Sequence, residues 1–211
     1  AWGSPLGFAE YSTYIAPASE RAWIDLCQTH FELSAAQPGH PHFEDALDAC
    51  AKGSSMAYGA SNLASLTVLK TIKGIATPSD WNRLRQRMRT TPMTPSNIGV
   101  AWYLVRYSNG DRRIDAQNVI PIIDIVGMRV GFQPPEYAAF GYYAARNKQD
   151  ADAYRYFTQA VNVSPKGSPF PVLLVADLKT EGHAGWAHEL EGFARARGKW
   201  PITAQDTPHG R

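Results

Sequence analysis

The chain has 211 residues, with 21 Lys+Arg against 19 Asp+Glu, 44% hydrophobic and 19% charged, enough apolar material to bury a core and too much for a disordered chain. A net charge of +2 lacks the basic footprint of a dedicated nucleic-acid binder, so no nucleic-acid partner is expected. No run approaches the 18 or so uninterrupted apolar residues of a membrane span, and the opening Ala1-Trp2-Gly3-Ser4-Pro5 has neither an initiator Met nor a signal-peptide pattern, so the chain reads as a piece of a longer protein.

Gly and Pro punctuate the sequence at Pro17, Pro38-Gly39, Gly53, Gly74, Pro78, Pro92, Pro95, Asn109-Gly110, 131–135, 147–150, Pro165-Lys166-Gly167, Gly182 and Gly198. The segments between these marks have helix length, longer than typical strands. A first helix is expected over 5–15, followed by pairs over 19–36 and 42–52, 56–73 and 79–90, 96–108 and 114–127, 134–146 and 150–163, and 169–181 and 184–197. Trp23, Leu26, Cys27, His30 and Phe31 share one helical face, as do Tyr137, Phe140, Gly141 and Ala144. Ser19, Ser79 and Ser96 read as start signals. The β-branched run 119–126 competes as a strand, but Pro121 argues against a central strand and is tolerated in a first helical turn, so this segment is also expected to be helical. The fold class is all-α: an α-solenoid of about five helix-turn-helix pairs plus an N-terminal helix.

Signatures of chemistry are sparse. No phosphate loop, Gly-rich dinucleotide turn, nucleophile elbow or His-Glu-x-x-His occurs, so no catalytic residue and no cofactor is assigned. His40 and His42 in the turn Pro38-Gly39-His40-Pro41-His42, with His30, fall short of the three or four convergent ligands of a zinc site, and no metal is expected. His183 and His188 read as surface residues. The pairs Glu44-Asp45 and Asp150 with Asp152 lie at helix starts, where carboxylates complement the dipole. Arg83, Arg85, Arg87 and Arg89, with Arg106, Arg112 and Arg113 further on, put positive charge on two adjoining helical faces; an acidic glycan or anionic lipid is the partner such a patch would take, against the plainer reading of a solvated exterior. Most aromatics, from Trp81 to Tyr156, have helical spacing that suits inter-helix packing.

Residues 134–167 carry a resemblance. Tyr137, Phe140, Gly141, Ala153, Phe157, Ala160 and Pro165 resemble the aromatic, leucine-like, glycine, alanine, aromatic, alanine and proline positions of the tetratricopeptide repeat, with Ala144 where that family usually has Tyr. Leu174, Val175, Leu178, Ala187 and Ala194 fit a following degenerate repeat. Pro17, Trp23, Leu26 and Cys27 fit an earlier one, and 56–131 keeps the rhythm without the signature. The resemblance implies one repeat domain over 1–198 with a tail over 199–211. It also implies a concave groove lined by first helices, where Arg21, Gln28, Tyr142, Arg146 and Lys179 would contact a protein partner or peptide. In that register Cys27 on a first helix neighbours Cys50 on its second helix, which leaves two readings open, a disulfide or two buried thiols.

The segments Ala1 to Tyr11 and Pro17-Ala18-Ser19-Glu20-Arg21-Ala22 resemble the region after the last membrane span in polytopic bacterial glycosyltransferases, O-mannosyltransferase-like and O-antigen-polymerase-like, that end in a tetratricopeptide domain. That resemblance implies a membrane tether in the parent sequence and an extracytoplasmic, periplasmic location, where a Cys27–Cys50 bond persists. The expected function is therefore a noncatalytic interaction domain that recruits a partner or positions an acceptor. One alternative is a free-standing cytoplasmic adaptor with reduced thiols. The other is a helical sugar-cleaving enzyme, which would need two carboxyls about 5–10 Å apart in a cleft.

Overall fold

The computed structural model describes residues 3–56 and 59–200. Among them are eleven helices and no strand: α1 (Pro5–Ile15), α2 (Glu20–Leu33), α3 (Pro41–Met56), α4 (Ser61–Lys73), α5 (Pro78–Thr90), α6 (Pro95–Gly110), α7 (Ala116–Val130), α8 (Pro134–Arg146), α9 (Asp150–Val163), α10 (Phe170–Thr180) and α11 (Ala184–Ala196). The fold is all-α, one N-terminal helix followed by five helix pairs. It divides into two compact units, the first ending at Val130 and the second starting at Gly131. Of the expected tail, 201–211 lie outside the described residues, as do Ala1 and Trp2.

Local chemistry sets the helix starts. Ser4 and Ser19 accept from Gly7 N and Ala22 N and cap α1 and α2. The expected starts at Ser79 and Ser96 move two residues upstream, because Pro78 and Pro95 take the first helical position and a Thr precedes each. Thr77 and Asp80 form a reciprocal capping box on α5, and Thr94 Oγ1 accepts from Asn97 N on α6. α4 ends on Gly74 in the left-handed conformation at φ 79°. The run 119–126 is helical as expected, with Pro121 inside α7 and beyond its first turn.

In the first unit α2 packs along α3, and the first helices α2, α4 and α6 are successive neighbours while α5 packs on α7. This layering is the stacking of a helical repeat. α4 is enclosed on nearly every side, with Asn62 to Leu69 and Ile72 all buried. Buried Asn97 ties α6 to the start of α4, its Oδ1 accepting from Ala60 N at 2.8 Å while its Nδ2 donates to Pro92 O at 2.7 Å. Cys27 on α2 and Cys50 on α3 form a disulfide, with Cα atoms 5.3 Å apart and both side chains buried. In the second unit α8 packs on α9, α9 on α11, and α10 on α11. Gly141 lets α8 approach α9 closely, since a Cβ there would stand 2.5 Å from the Phe157 ring. Phe140, Tyr143, Tyr156 and Phe157 fill that interface.

Candidate functional site

Each unit carries a cleft on its first helices. In the first unit, α2 contributes Arg21 and Gln28, α4 contributes Ser61 and Ser65, and α6 contributes Gly99 and Tyr103 to a cleft of about 190 Å³. Small residues on α4 and α6 keep the floor open, and the Ser61 and Ser96 hydroxyls meet at 2.9 Å on it. Arg21 is held by Asp25 one turn on, at 2.9 Å. Burial pushes the Tyr103 phenol far above its ordinary range, so it remains a proton donor at any physiological pH.

In the second unit, Tyr142, Ala145 and Arg146 of α8 face Asp177 and Thr180 of α10, with Glu181 and His183 beyond it, around about 360 Å³. Burial first, then the charges of Asp177 and Glu181, push Tyr142 up to about 12. Its hydroxyl is buried and has no hydrogen-bond partner in the protein, while its ring meets Phe157 edge-on at 5.0 Å. The cleft thus combines one guanidinium, two carboxylates a turn apart, and a neutral phenol. Such a lining can hydrogen-bond both donors and acceptors of an extended chain.

Four of the five expected groove residues, Arg21, Gln28, Tyr142 and Arg146, line these clefts. Lys179 does not; its ammonium lies 3.6 Å from Glu191 on α11. The four arginines of α5 are not gathered into one patch. Spacings of two put Arg85 and Arg89 about half a turn from Arg83 and Arg87, on opposite flanks of the buried Trp81, Leu84 and Met88. Arg87 is turned inward to the carbonyls of Gly59 and Ser54, at 3.2 and 3.5 Å. Arg85 donates to Asn82 at 2.7 Å.

A third constellation joins the end of α2 to the start of α3. His30 Nδ1 lies 3.2 Å from His42 Nδ1, which lies 3.2 Å from Asp45 Oδ2, and the His30–Asp45 edge is 3.7 Å. These are the described residues grouped closely enough to hold a metal ion. Burial holds His30 below its ordinary value against the attraction of Asp45. His40, paired with His42 in the sequence reading, instead accepts from the His42 backbone N–H at 3.2 Å. Asp45 was assigned to the helix dipole; the only sequence signal for its role is the spacing of three from His42. Its neighbour Glu44 is engaged by Lys73 at 2.7 Å.

No protein-family model matches the chain, and no curated protein matches it. Among the described residues no helix is long and apolar enough to cross a membrane.

Proposed function

We propose that the chain is a noncatalytic interaction module of tetratricopeptide-like helix pairs, in which the cleft on the first helices of each unit holds an extended segment of a protein partner. The observation that carries this reading is the position of Arg21, Gln28, Tyr142 and Arg146. They are among the positions the tetratricopeptide resemblance implies for its groove, and all four line clefts. An extended peptide presents unpaired N–H and C=O groups, and the linings answer them. Arg21 and Gln28 donate in the first unit, and Asp177 and Glu181 accept in the second. The small residues of α4 and α6 allow a main chain to approach. The splitting of the α5 arginines weighs against a glycan or anionic lipid as the main partner.

The Cys27–Cys50 bond favours an oxidising compartment. Together with the resemblance over 1–22 it supports the finer reading, the extracytoplasmic C-terminal part of a polytopic membrane glycosyltransferase or polymerase. Glycosyl transfer would then belong to the parent and not to this chain. The second reading, a cytoplasmic adaptor, requires the thiols to be reduced in the cell. A phage-displayed peptide library selected on the oxidised chain tests the groove. Peptides enriched on the first-unit cleft should lose binding at least about tenfold on Arg21→Glu, and those enriched on the second-unit cleft on Arg146→Glu, as expected where an anchor at the centre of a contact is removed. Failure to enrich any sequence, or binding indifferent to both substitutions, would overturn the proposal.

A further inference from the structure

We propose that His30, His42 and Asp45 form a site for a single divalent transition-metal ion, zinc by preference, that pins the end of α2 to the start of α3.

The triangle of ligand atoms has the right size. Its edges are 3.2, 3.2 and 3.7 Å. Bonds of about 2.0–2.1 Å at tetrahedral angles require ligand–ligand edges of about 3.4 Å. An octahedral magnesium ion requires about 3.0 Å and an all-oxygen shell. Two imidazole nitrogens and one carboxylate oxygen are instead a donor set for zinc, or for copper and nickel where these are available.

Proton counting points the same way. His42 Nδ1 stands 3.2 Å from two groups at once, His30 Nδ1 and Asp45 Oδ2. A neutral imidazole has one N–H, so a proton on His42 Nδ1 would have to serve two acceptors, and a proton on its other nitrogen would leave the Nδ1 lone pair facing the carboxylate. A cation at the centre satisfies all three atoms together. The scaffold is also rigid. His30 lies three residues after Cys27, whose disulfide to Cys50 holds α2 against α3, and His42 and Asp45 sit a turn apart on one face of α3. His30 occupies the last turn of α2, where the negative end of the helix dipole favours a cation.

The His30 side chain is 11% exposed, His42 33% and Asp45 52%, so the triangle is closed at His30 and open at Asp45. Three protein ligands would leave one coordination position to water.

The test uses the full chain stripped by chelator and then titrated with zinc chloride by calorimetry and with cobalt chloride by visible absorption. One zinc per chain and an intense tetrahedral cobalt band, abolished by added zinc, are expected. His42→Ala and Asp45→Asn should each weaken zinc at least by the factor of about 10–100 that even an outer-shell partner contributes. His188→Ala, on α11 and exposed, should leave it unchanged. Helix content from circular dichroism is checked for every variant, and Asp45→Asn alters a half-exposed side chain. The absence of both zinc heat and a cobalt band on the unaltered chain would overturn the proposal and leave a hydrogen-bonded cluster. So would binding that survives both substitutions, or one lost equally in His188→Ala.

Discussion

Removing the Cys27–Cys50 bond is a strong perturbation of the first unit with a cleanly separable cause. The two residues are 23 apart in sequence, and constraining a loop of that length in the unfolded chain is worth about 3.4 kcal/mol in the chain-entropy account. Both cysteines are buried, at 2% and 0% exposure, so truncating them to Ala adds about 1 kcal/mol of lost packing. With about 2.1 cal/mol/K per residue of unfolding entropy, a unit ending at Val130 should lose about 12 °C in Tm on reduction, and somewhat more for the double variant Cys27→Ala/Cys50→Ala. The assay is thermal melting by circular dichroism of the oxidised chain, the reduced and alkylated chain, and the double variant, each with and without reductant. Reductant should shift only the unaltered chain. The second unit, which contains no cysteine, should keep its own transition. Melts of oxidised and alkylated chains that agree within about 2 °C would refute the reasoning, because a loop constraint of that size cannot be invisible.

Gly141→Ala should destabilise the second unit. The added Cβ meets three Phe157 ring atoms at 2.5–2.9 Å, and that ring, fully buried, cannot give way. Overpacking of this kind costs about 1–3 kcal/mol, against about 1 kcal/mol returned by helix propensity. A urea midpoint at or above that of the unaltered chain would contradict the close α8–α9 approach. Asp80 supplies a pH test. Burial alone would raise its pKa, but the Lys70 ammonium at 2.6 Å and the Thr77 N–H and hydroxyl hold it below the usual carboxylate range. A carboxyl depressed on folding contributes stability that is present above its unfolded pKa of about 3.9 and lost as pH falls through the folded value. Asp80→Asn should therefore be less stable at neutral pH and lose less on acidification to about pH 3, read from urea midpoints. Identical acid slopes for the two proteins would refute it.

The helix pairs are legible in the sequence because most Gly and Pro fall between apolar segments of helical length; the exceptions are Gly53, which α3 runs through on its way to Met56 so that α4 starts at Ser61 and not at 56, and Pro121 inside α7. The errors are local. Ser79 and Ser96 look like caps only if the upstream Thr-Pro pairs are overlooked, where a Thr hydroxyl and a prolyl φ together start the helix earlier. Arg21 and Tyr142, picked out by the repeat resemblance, do line clefts, because the helix pitch sets where their Cα atoms face. The contacts of Lys179 and Arg87 are not legible, because long flexible side chains choose among partners that register does not encode, here Glu191 and the carbonyls of Gly59 and Ser54. The convergence at His42 is hidden for a different reason. His30 lies on another helix, and whether its ring meets His42 or points away depends on the turn between them.

That turn makes its own prediction. Ala35 and Ala36 occupy the left-handed region at φ 49° and 57°, where a Cβ costs about 1–2 kcal/mol per residue. Both are exposed, so no side-chain burial compensates. The conformation is imposed from outside the turn: α3 must begin antiparallel to α2 for Cys50 to reach Cys27, and the chain reverses over 34–40 through the bonds Ala35 N to Glu32 O, Gln37 N to Ser34 O and His40 N to Gln37 O, each 3.0 Å. Glycine at position 36 removes the Cβ penalty and adds about 0.5–1 kcal/mol of chain entropy to the unfolded state. Ala36→Gly should thus stabilise the first unit by up to about 1 kcal/mol, about 2–4 °C in Tm. Ala36→Val should destabilise it, because a β-branched residue tolerates this region least. If Ala36→Gly instead lowers Tm by the amount glycine costs in an ordinary helix, the reversal between α2 and α3 does not use the left-handed conformation, and the approach of His30 to His42 has to be held by the disulfide and the helix packing alone.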